Sequence, residues 1–407
     1  MEILVLSAHL PSPRSRQAGQ KNSYFVCQWL ARRHGVNLLS FATEPELESF
    51  NSEDVGFFQS FDFVPVNSLS RACGFLAGPH LPLLAASRRS GRFRHKLRSL
   101  LRERKFDVAL LVYTGMLQYS ADLNKVPVVG VLEEDVSFRS WESRSKQSGN
   151  WVRGILLALE GIRTRRWELD RLRRMDFVVL VNSEERKLIE KLLPGLNVQL
   201  LNPWAELGRY EKIAPYCNRQ PNSLVFWGAM DRQENVDAVT YAAEKILPQI
   251  WGRRPQVSFC VAGNRPPPWL VDRYRGSRVE VCGYVEKPFR ILADKRVALL
   301  PMRLGAGMKI KVLECMAAGL PVVTTPAGAE GIPGRDGIHY LVGNSEQELA
   351  GLTLALLETP ARAEEISVRA RENILANHNF ERSLQEIEAY IFQRVGNFEP
   401  KCLTSSE

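Results

Sequence analysis

Short apolar runs alternate with stretches of helical spacing twice over in this chain, and that alternation limits its fold more than any other feature. In the first series, Glu2–Ser7, Val36–Phe41, Asp107–Tyr113, Val126–Leu132, Asp176–Asn182 and Val198–Leu201 read as strands. Between the first two, Gln20–Arg33 places Phe25, Trp29 and Leu30 on one helical face. A second series opens near Asn222. Leu224–Trp227, Val257–Ala262, Arg278–Cys282, Val297–Leu300 and Leu320–Thr324 read as strands, with Val236–Ile250 and Lys309–Ala318 as helices. Strands that alternate with helices build βαβ units and a parallel sheet.

The expected fold class is therefore α/β, with two Rossmann-like doubly wound domains facing a cleft. The chain's 407 residues suit two domains, or at most three. The first is expected at 1–204 and the second at 222–380. Residues 205–221 form a polar linker with Pro215 and Pro221. Two helical patterns close the chain, Glu346–Glu358 and Ala361–Arg394; the segment 381–396 is a helix able to cross back to the first domain, and 397–407 a flexible tail. In open α/β sheets ligands bind outside the carboxyl ends of strands, where the strand order reverses. Two such domains suit a transferase with two substrates.

Composition removes other classes. Hydrophobic residues make up 45% and charged residues 24%, which excludes disordered and fibrous chains. Fifty-four basic against forty-five acidic residues leave +9, which favours anionic partners. Seven cysteines, an odd number without a C-x-x-C pair, argue against a disulfide scaffold or structural zinc and for a reducing cytosol. The start, MEILVLSAHLPSPR, has no basic lead and too short an apolar run for a signal peptide, and no 18-residue stretch is apolar enough to span a bilayer. A cytoplasmic protein is expected, with peripheral attachment to the inner face of the cell membrane as an option.

The most informative stretch is Pro301–Gly331. A strand ends at Leu300, and Gly305 and Gly307 form a loop before a helix. Glycines there let backbone N–H groups approach an anion, and the helix N-terminus adds partial positive charge. Lys309 and Lys311 fall in the first turn, where cations oppose the helix dipole unless an anion binds. The alternative is a solvated helix start. Glu314, four after Ile310 and three before Ala317, shares the apolar helix face and needs a partner. A bridge to Lys311 would serve, and so would two ribose hydroxyls. A second turn, Pro326–Gly331, brings Glu330 within range of the same place.

These residues carry a resemblance. Pro301, Arg303, Gly305, Gly307, Lys309, Lys311, Leu313-Glu314, Met316-Ala317, Gly319 and Pro321-Val322-Val323, with Gly328 and Glu330-Gly331-Ile332, resemble the donor-binding domain of GT-B glycosyltransferases. More narrowly they resemble the family-four retaining sugar transferases. Phe226-Trp227-Gly228 with Glu234–Ala238, Val261–Asn264 and Cys282–Val285 are similar to that family's strand ends. The match is good over about 220–345 and looser before it, through Pro11–Pro13, Ala18-Gly19 and Cys27–Val36.

The resemblance implies a glycosyltransferase that moves a sugar from a nucleotide-diphosphate donor to a lipid-linked or glycan acceptor, with retention. It implies that Glu314 binds the ribose and that Lys309 and Lys311 bind the diphosphate. Backbone at Gly305, Ala306, Gly307 and Met308 would cradle phosphate. Gly283, Tyr284 and Val285 would read the base, with Gly228 and Gly263 at neighbouring strand ends and Gly19 across the cleft. At Ala306 many relatives carry a glutamate that touches the donor sugar. Near the place of a Lys-Gly pair this chain has Glu234-Asn235, with Arg232 as a substitute. Before the linker it has Asn202–Ala205 in place of Asn-Gly-Val-Asp.

No catalytic metal is expected, because the six histidines do not cluster at ligand spacing, and no cofactor beyond the donor substrate is implied. As in the family, Lys309, Lys311 and helix-end amides would stabilise the leaving diphosphate, and a donor phosphate oxygen would take the acceptor proton. If a side chain assists, Asp135 in Leu132–Val136 matches the last position of an acidic turn in relatives. Three successive carboxylates, Glu133, Glu134 and Asp135, would raise one another's pKa. A solvated turn is the alternative, and His9 is the competing base.

Arg88–Lys105 holds nine basic residues against Glu103 alone, with Phe93, Leu97, Leu100 and Leu101 at helical spacing. It reads as an interfacial helix in which Arg88, Arg89, Arg92, Arg94, Lys96 and Arg98 meet an anionic membrane surface. A solvated face is the alternative. Arg163–Arg174 adds six arginines against two acids. Nucleic acid is not an expected partner. Rival readings are a GT-B epimerase or phosphorylase, and an inactive nucleotide-binding or membrane-adaptor protein.

Overall fold

The structure, a computed structural model, describes every residue except Arg16, Glu134, Gln147, Glu206, 208–215, Ala306 and 397–407. Ala306, Glu134, part of the expected linker and the expected tail therefore lie outside the described residues. The chain divides into two compact units. One is Met1–Trp204 together with the chain from Phe380 onward; the other is Ala205–Asn379.

The first unit holds seven parallel strands: β1 Glu2–Ser7, β2 Gly35–Thr43, β3 Ser60–Val66, β4 Val108–Val112, β5 Val128–Glu133, β6 Phe177–Leu180 and β7 Val198–Leu200. Their order is β3-β2-β1-β4-β5-β6-β7, which reverses between β1 and β4. Alternate side chains of β1 point to opposite faces. Leu4 and Leu6 join Phe93 and Leu97 in one buried cluster, while Ile3 and Val5 join Val26, Trp29 and Leu30 in another. The second face is completed by the last helix, Phe380–Gly396, through Leu384, Ile387 and Ile391. Glu388 on that helix bridges Arg33 at 2.9 Å and His34 at 2.8 Å.

The single closing helix expected at Ala361–Arg394 is two helices, Pro360–Asn377 and Phe380–Gly396. They part at His378-Asn379, where the chain passes from one unit to the other. The pattern of apolar residues continues through the break, because each helix buries its own stripe in a different core.

The second unit has six parallel strands: β8 Ser223–Trp227, β9 Ser258–Ala262, β10 Val279–Gly283, β11 Val297–Leu300, β12 Val322–Thr324 and β13 Leu341–Val342. The order β10-β9-β8-β11-β12-β13 reverses between β8 and β11. One buried cluster fills both faces, from Leu224 and Phe226 to Val312 and Met316. The helix expected at Val236–Ile250 is an α-helix, Gln233–Tyr241, that passes through a π-helical turn at Ala242–Ile246 into Leu247–Arg253.

Candidate functional site

The reversal in the second sheet puts the ends of β8 and β11 side by side. Each feeds a loop. From β11 the chain runs through Pro301–Lys309 into the helix Ile310–Ala317. Gly305 and Gly307 have φ of 89° and 78°, in the left-handed region that glycine enters without strain. Lys309 is the N-cap, not a first-turn residue, and its side chain folds back: Nζ donates to the carbonyls of Gly305 at 3.2 Å and Gly307 at 2.5 Å. The residue is buried, so its ammonium braces the loop. Met308 is half-buried and packs on the core.

Lys311 lies two residues on, in the first turn of the helix. Its Nζ donates to Asn235 Oδ1 and lies 5.5 Å above the Phe226 ring. Burial pushes this ammonium down to about 8, against a smaller upward pull from Glu234. Glu314, half-buried on the same helix, accepts the indole N–H of Trp227 at 2.6 Å. Trp227, the last residue of β8, is thus a site residue that spacing alone did not single out; a tryptophan closing a strand beside a motif glycine was the available signal. Asn235 is another, since it also donates to the carbonyl of Ala229 at 2.6 Å. Arg232 lies 3.4 Å from Glu234.

Close backbone packing shapes the neighbouring strand ends. A Cβ on Gly263 would stand 1.7 Å from the carbonyl oxygen of Gly228, and one on Gly228 would stand 2.9 Å from Asn235 Nδ2. Gly263 N–H donates to the carbonyl of Gly283 at 2.9 Å. Tyr284 follows, largely exposed, and Val285 packs on the core. Glu330 is half-buried just after the short helix Pro326–Ala329, which begins where β12 ends. The helix N-terminus, Lys311 and Glu314 together offer donors for an anion and an acceptor for hydroxyls within one stretch of chain.

The first unit has its own site where its strand order reverses. A cavity of about 320 Å³ is lined by His9 after β1, Tyr113 and Thr114 after β4, Asp135 and Ser137 after β5, and Arg88. Tyr113 has φ of 72°, uncommon for a bulky residue and of the kind that gathers at functional sites. Arg88 Nε donates to the carbonyl of Ala8 at 2.9 Å, and a second guanidinium N–H meets His9 Nε2 at 3.1 Å. A guanidinium only donates, so His9 Nε2 accepts and Nδ1–H donates to Glu46 at 2.8 Å. That fixes the imidazole tautomer. Gly19 sits in the first turn of the helix Ala18–Ala31, not in a loop, because the helix starts two residues before its apolar pattern.

The acidic turn differs from expectation. Glu133 ends β5 and is wholly buried. Its carboxyl is raised well above the usual range by burial first and by the charge of Glu168 second. Glu168 accepts the N–H groups of Ser137 at 2.9 Å and Phe138 at 3.1 Å, and Glu185 accepts that of Val136 at 3.1 Å. Two buried carboxyl groups from distant helices thus hold the turn that carries Asp135.

The basic helix packs into the protein core, contrary to the expected lipid contact. Gly91–Glu103 forms, capped by Ser90, but its apolar stripe is core: Phe93 and Leu97 are fully buried. Arg94 and Arg98 each meet Asp122 at 2.9 Å, and Lys96 meets Asp62 at 2.5 Å. Arg88 is buried, Arg89 half-buried, and Arg92 exposed. A basic amphipathic pattern reads the same whether the apolar stripe enters lipid or a protein core.

Residues 221–359 match the family model described as glycosyl transferases group 1. No curated protein matches the chain significantly. Among solved structures, the chain is similar to sucrose-phosphate synthase from Thermosynechococcus elongatus, with TM-score 0.66 and 14% identity over 97% of this chain and 99% of that one. It is similar to HepE of Anabaena in complex with UDP, with TM-score 0.65 and 13% identity over 97% and 100%. It is also similar to WaaG, a glycosyltransferase involved in lipopolysaccharide biosynthesis, with TM-score 0.63 and 16% identity over 96% and 99%. Two parallel α/β units in one chain are the fold shared with these GT-B proteins.

Proposed function

We propose that this chain, a group 1 glycosyltransferase of the GT-B fold, moves a sugar from a nucleoside-diphosphate donor to a lipid-linked or glycan acceptor with retention at the anomeric carbon. One observation carries the donor half: Lys311 and Glu314 stand three residues apart on the helix that opens from the Gly305–Gly307 loop, where the strand order reverses. Glu314, held by Trp227, accepts the ribose hydroxyls. Lys311 and the amides at the helix start take the diphosphate, whose charge grows as the glycosidic bond breaks. Groups already in place there stabilise that charge without reorganising. Lys309 keeps the loop in shape through the carbonyls of Gly305 and Gly307. Gly283, Tyr284 and Val285 face the base with their backbone.

A donor phosphate oxygen accepts the acceptor's proton, so the reaction needs no side-chain base and no metal held by the chain. Asp135 is the side-chain alternative, supported by its place in the cavity of the first unit. UDP-sugars are the first donors to try, because HepE of Anabaena and TarM of S. aureus are solved with UDP. The test is incubation with UDP- and GDP-sugars and a panel of lipid-linked and glycan acceptors, read by nucleotide release and by the anomeric configuration of the product. A retained linkage supports the reading. An inverted linkage, or an epimerised sugar without transfer, overturns it.

A further inference from the structure

The helix Trp151–Leu172 is amphipathic in the reverse sense. The stripe it buries is Glu160, Gly161, Thr164, Glu168 and Leu172. Its apolar stripe faces outward: Trp151 is 76% exposed, Leu156 62% and Leu159 58%, with Val152, Ile155 and Ile162 about as open. At 3.6 residues per turn these six share one side of the helix, a strip about 17 Å long. Glu160 and Glu168 explain the buried stripe, since they bind the chain around Leu83 and the turn at Ser137. Among the described residues nothing covers the other stripe, and contiguous apolar surface of this kind marks a surface that another molecule covers.

A second segment is fastened to this helix. Leu83 N–H donates to Glu160 at 2.5 Å, and Arg163 donates to the carbonyls of Pro79 and Leu81, so the segment 79–83 is fastened to the helix. The helix just before that segment, Ser68–Ala77, buries only Gly74 and exposes Leu69 and Leu76 at 73% and 83%.

Charge identifies the occupant. No Asp or Glu lies between Asp62 and Glu103, nor between Glu142 and Glu160, and these stretches carry Arg71, Lys146 and Arg153. Beside the stripe, between the helices Ser137–Lys146 and Trp151–Leu172, runs a groove of about 490 Å³. Ala158, Ile162 and Leu169 line it, and Lys146, Arg165 and Arg166 stand over it with Glu142 as its one acid. A second copy of this face would bring like charges together. An anionic lipid surface offers phosphates to the cations and acyl chains to the stripe.

We infer that this face of the first unit is a membrane-contact surface for anionic lipid. Trp151, Leu156, Leu159 and Ile162 enter the boundary between headgroups and acyl chains, and Lys146, Arg165 and Arg166 hold lipid phosphates. The contact is shallow and lies on one leaflet; among the described residues no helix is long and apolar enough to cross a membrane. The inference stands apart from the transferase reading, because it needs no substrate.

The experiment is co-sedimentation of the full chain with vesicles of mixed phosphatidylglycerol and phosphatidylcholine, with phosphatidylcholine alone as control. Wild type is expected to pellet with the anionic vesicles and less so at high salt. Leu156→Ser with Leu159→Ser and Ile162→Ser removes only exposed side chains, and should lower vesicle binding about tenfold or more with unchanged circular dichroism. Arg165→Gln with Arg166→Gln should lower it several-fold, whereas Arg92→Gln with Arg102→Gln should change it less. Wild type left in solution with anionic vesicles at low salt overturns the inference, and so does a serine variant that pellets like wild type. Loss of self-association in the serine variant, with no vesicle binding by wild type, would make the face a protein interface instead.

Discussion

The indole N–H of Trp227, at the end of β8, donates to Glu314 on the helix Ile310–Ala317 over 2.6 Å. It joins two segments 87 residues apart and sets the direction of a half-buried carboxylate beside the loop after β11. Trp227→Phe keeps the ring and removes the donor. A hydrogen bond to a charged group contributes about 1.5 kcal/mol, so nucleoside and nucleoside diphosphate should both bind roughly tenfold more weakly. Isothermal titration reads the change. Equal affinities for wild type and variant would mean that the indole only packs.

Lys311 should give nucleotide binding a pH dependence. Burial holds its ammonium down at about 8. Below that pH it is charged and attracts a diphosphate. Above it, binding must take up a proton, and affinity should fall by up to about tenfold per unit. Lys311→Met should abolish this slope and weaken diphosphate more than nucleoside. Lys309→Ala should weaken both through the loop that it braces. A wild-type slope that persists in Lys311→Met would assign the titration to another group.

Gly263 should tolerate no side chain. A Cβ there stands 1.7 Å from the carbonyl oxygen of Gly228, and neither backbone can retreat without breaking the strand ends. Gly263→Ala should cost about 3 kcal/mol or more and lower the thermal midpoint. Gly252→Ala, where a Cβ meets nothing within 4 Å, should change stability by less than about 1 kcal/mol. Equal midpoints would show that the two loops can move apart.

The buried glutamates should make the first unit less stable as pH rises. Burial raises the carboxyls of Glu133 and Glu168, the latter to about 8. Between roughly pH 4.5 and 8 the folded chain keeps protons that the unfolded chain has released. The stabilisation is full below the unfolded value and lost as pH climbs through the folded one, at up to about 1.4 kcal/mol per unit for each group. Glu133→Gln stays neutral throughout, so its urea midpoint should fall less between roughly pH 5.5 and 8. Parallel profiles for wild type and variant would refute the protonated state.

Strands buried on both faces were the most legible part of the fold. Val297–Leu300 has the same bounds in the sequence reading and the structure, and the loop and helix after it stand out through their glycines and lysines. β3 was not legible, because Asp62 and Pro65 interrupt it; as an edge strand it pairs only with β2 and tolerates both. β13 has two residues, too few for any pattern. The helix Gly91–Glu103 and the helix Trp151–Leu172 show the limit of helical periodicity. One buries its apolar stripe beneath β1 while the other exposes it, and the deciding partners, Asp122 for the first and the 79–83 segment for the second, lie far away in sequence. Trp227 and Asn235 escaped notice as site residues for the same reason, since their roles exist only once β8 lies beside β11.

The central claim is that the second unit binds a nucleoside diphosphate through Glu314, and isothermal titration of UDP and GDP into wild type and Glu314→Ala tests it most directly. Loss of charge-assisted hydrogen bonds to the ribose costs roughly 1.5–3 kcal/mol, which predicts binding by wild type and about a 10–150-fold loss in a folded variant. No binding of either nucleotide by wild type, or equal affinity in the folded variant, would contradict the account.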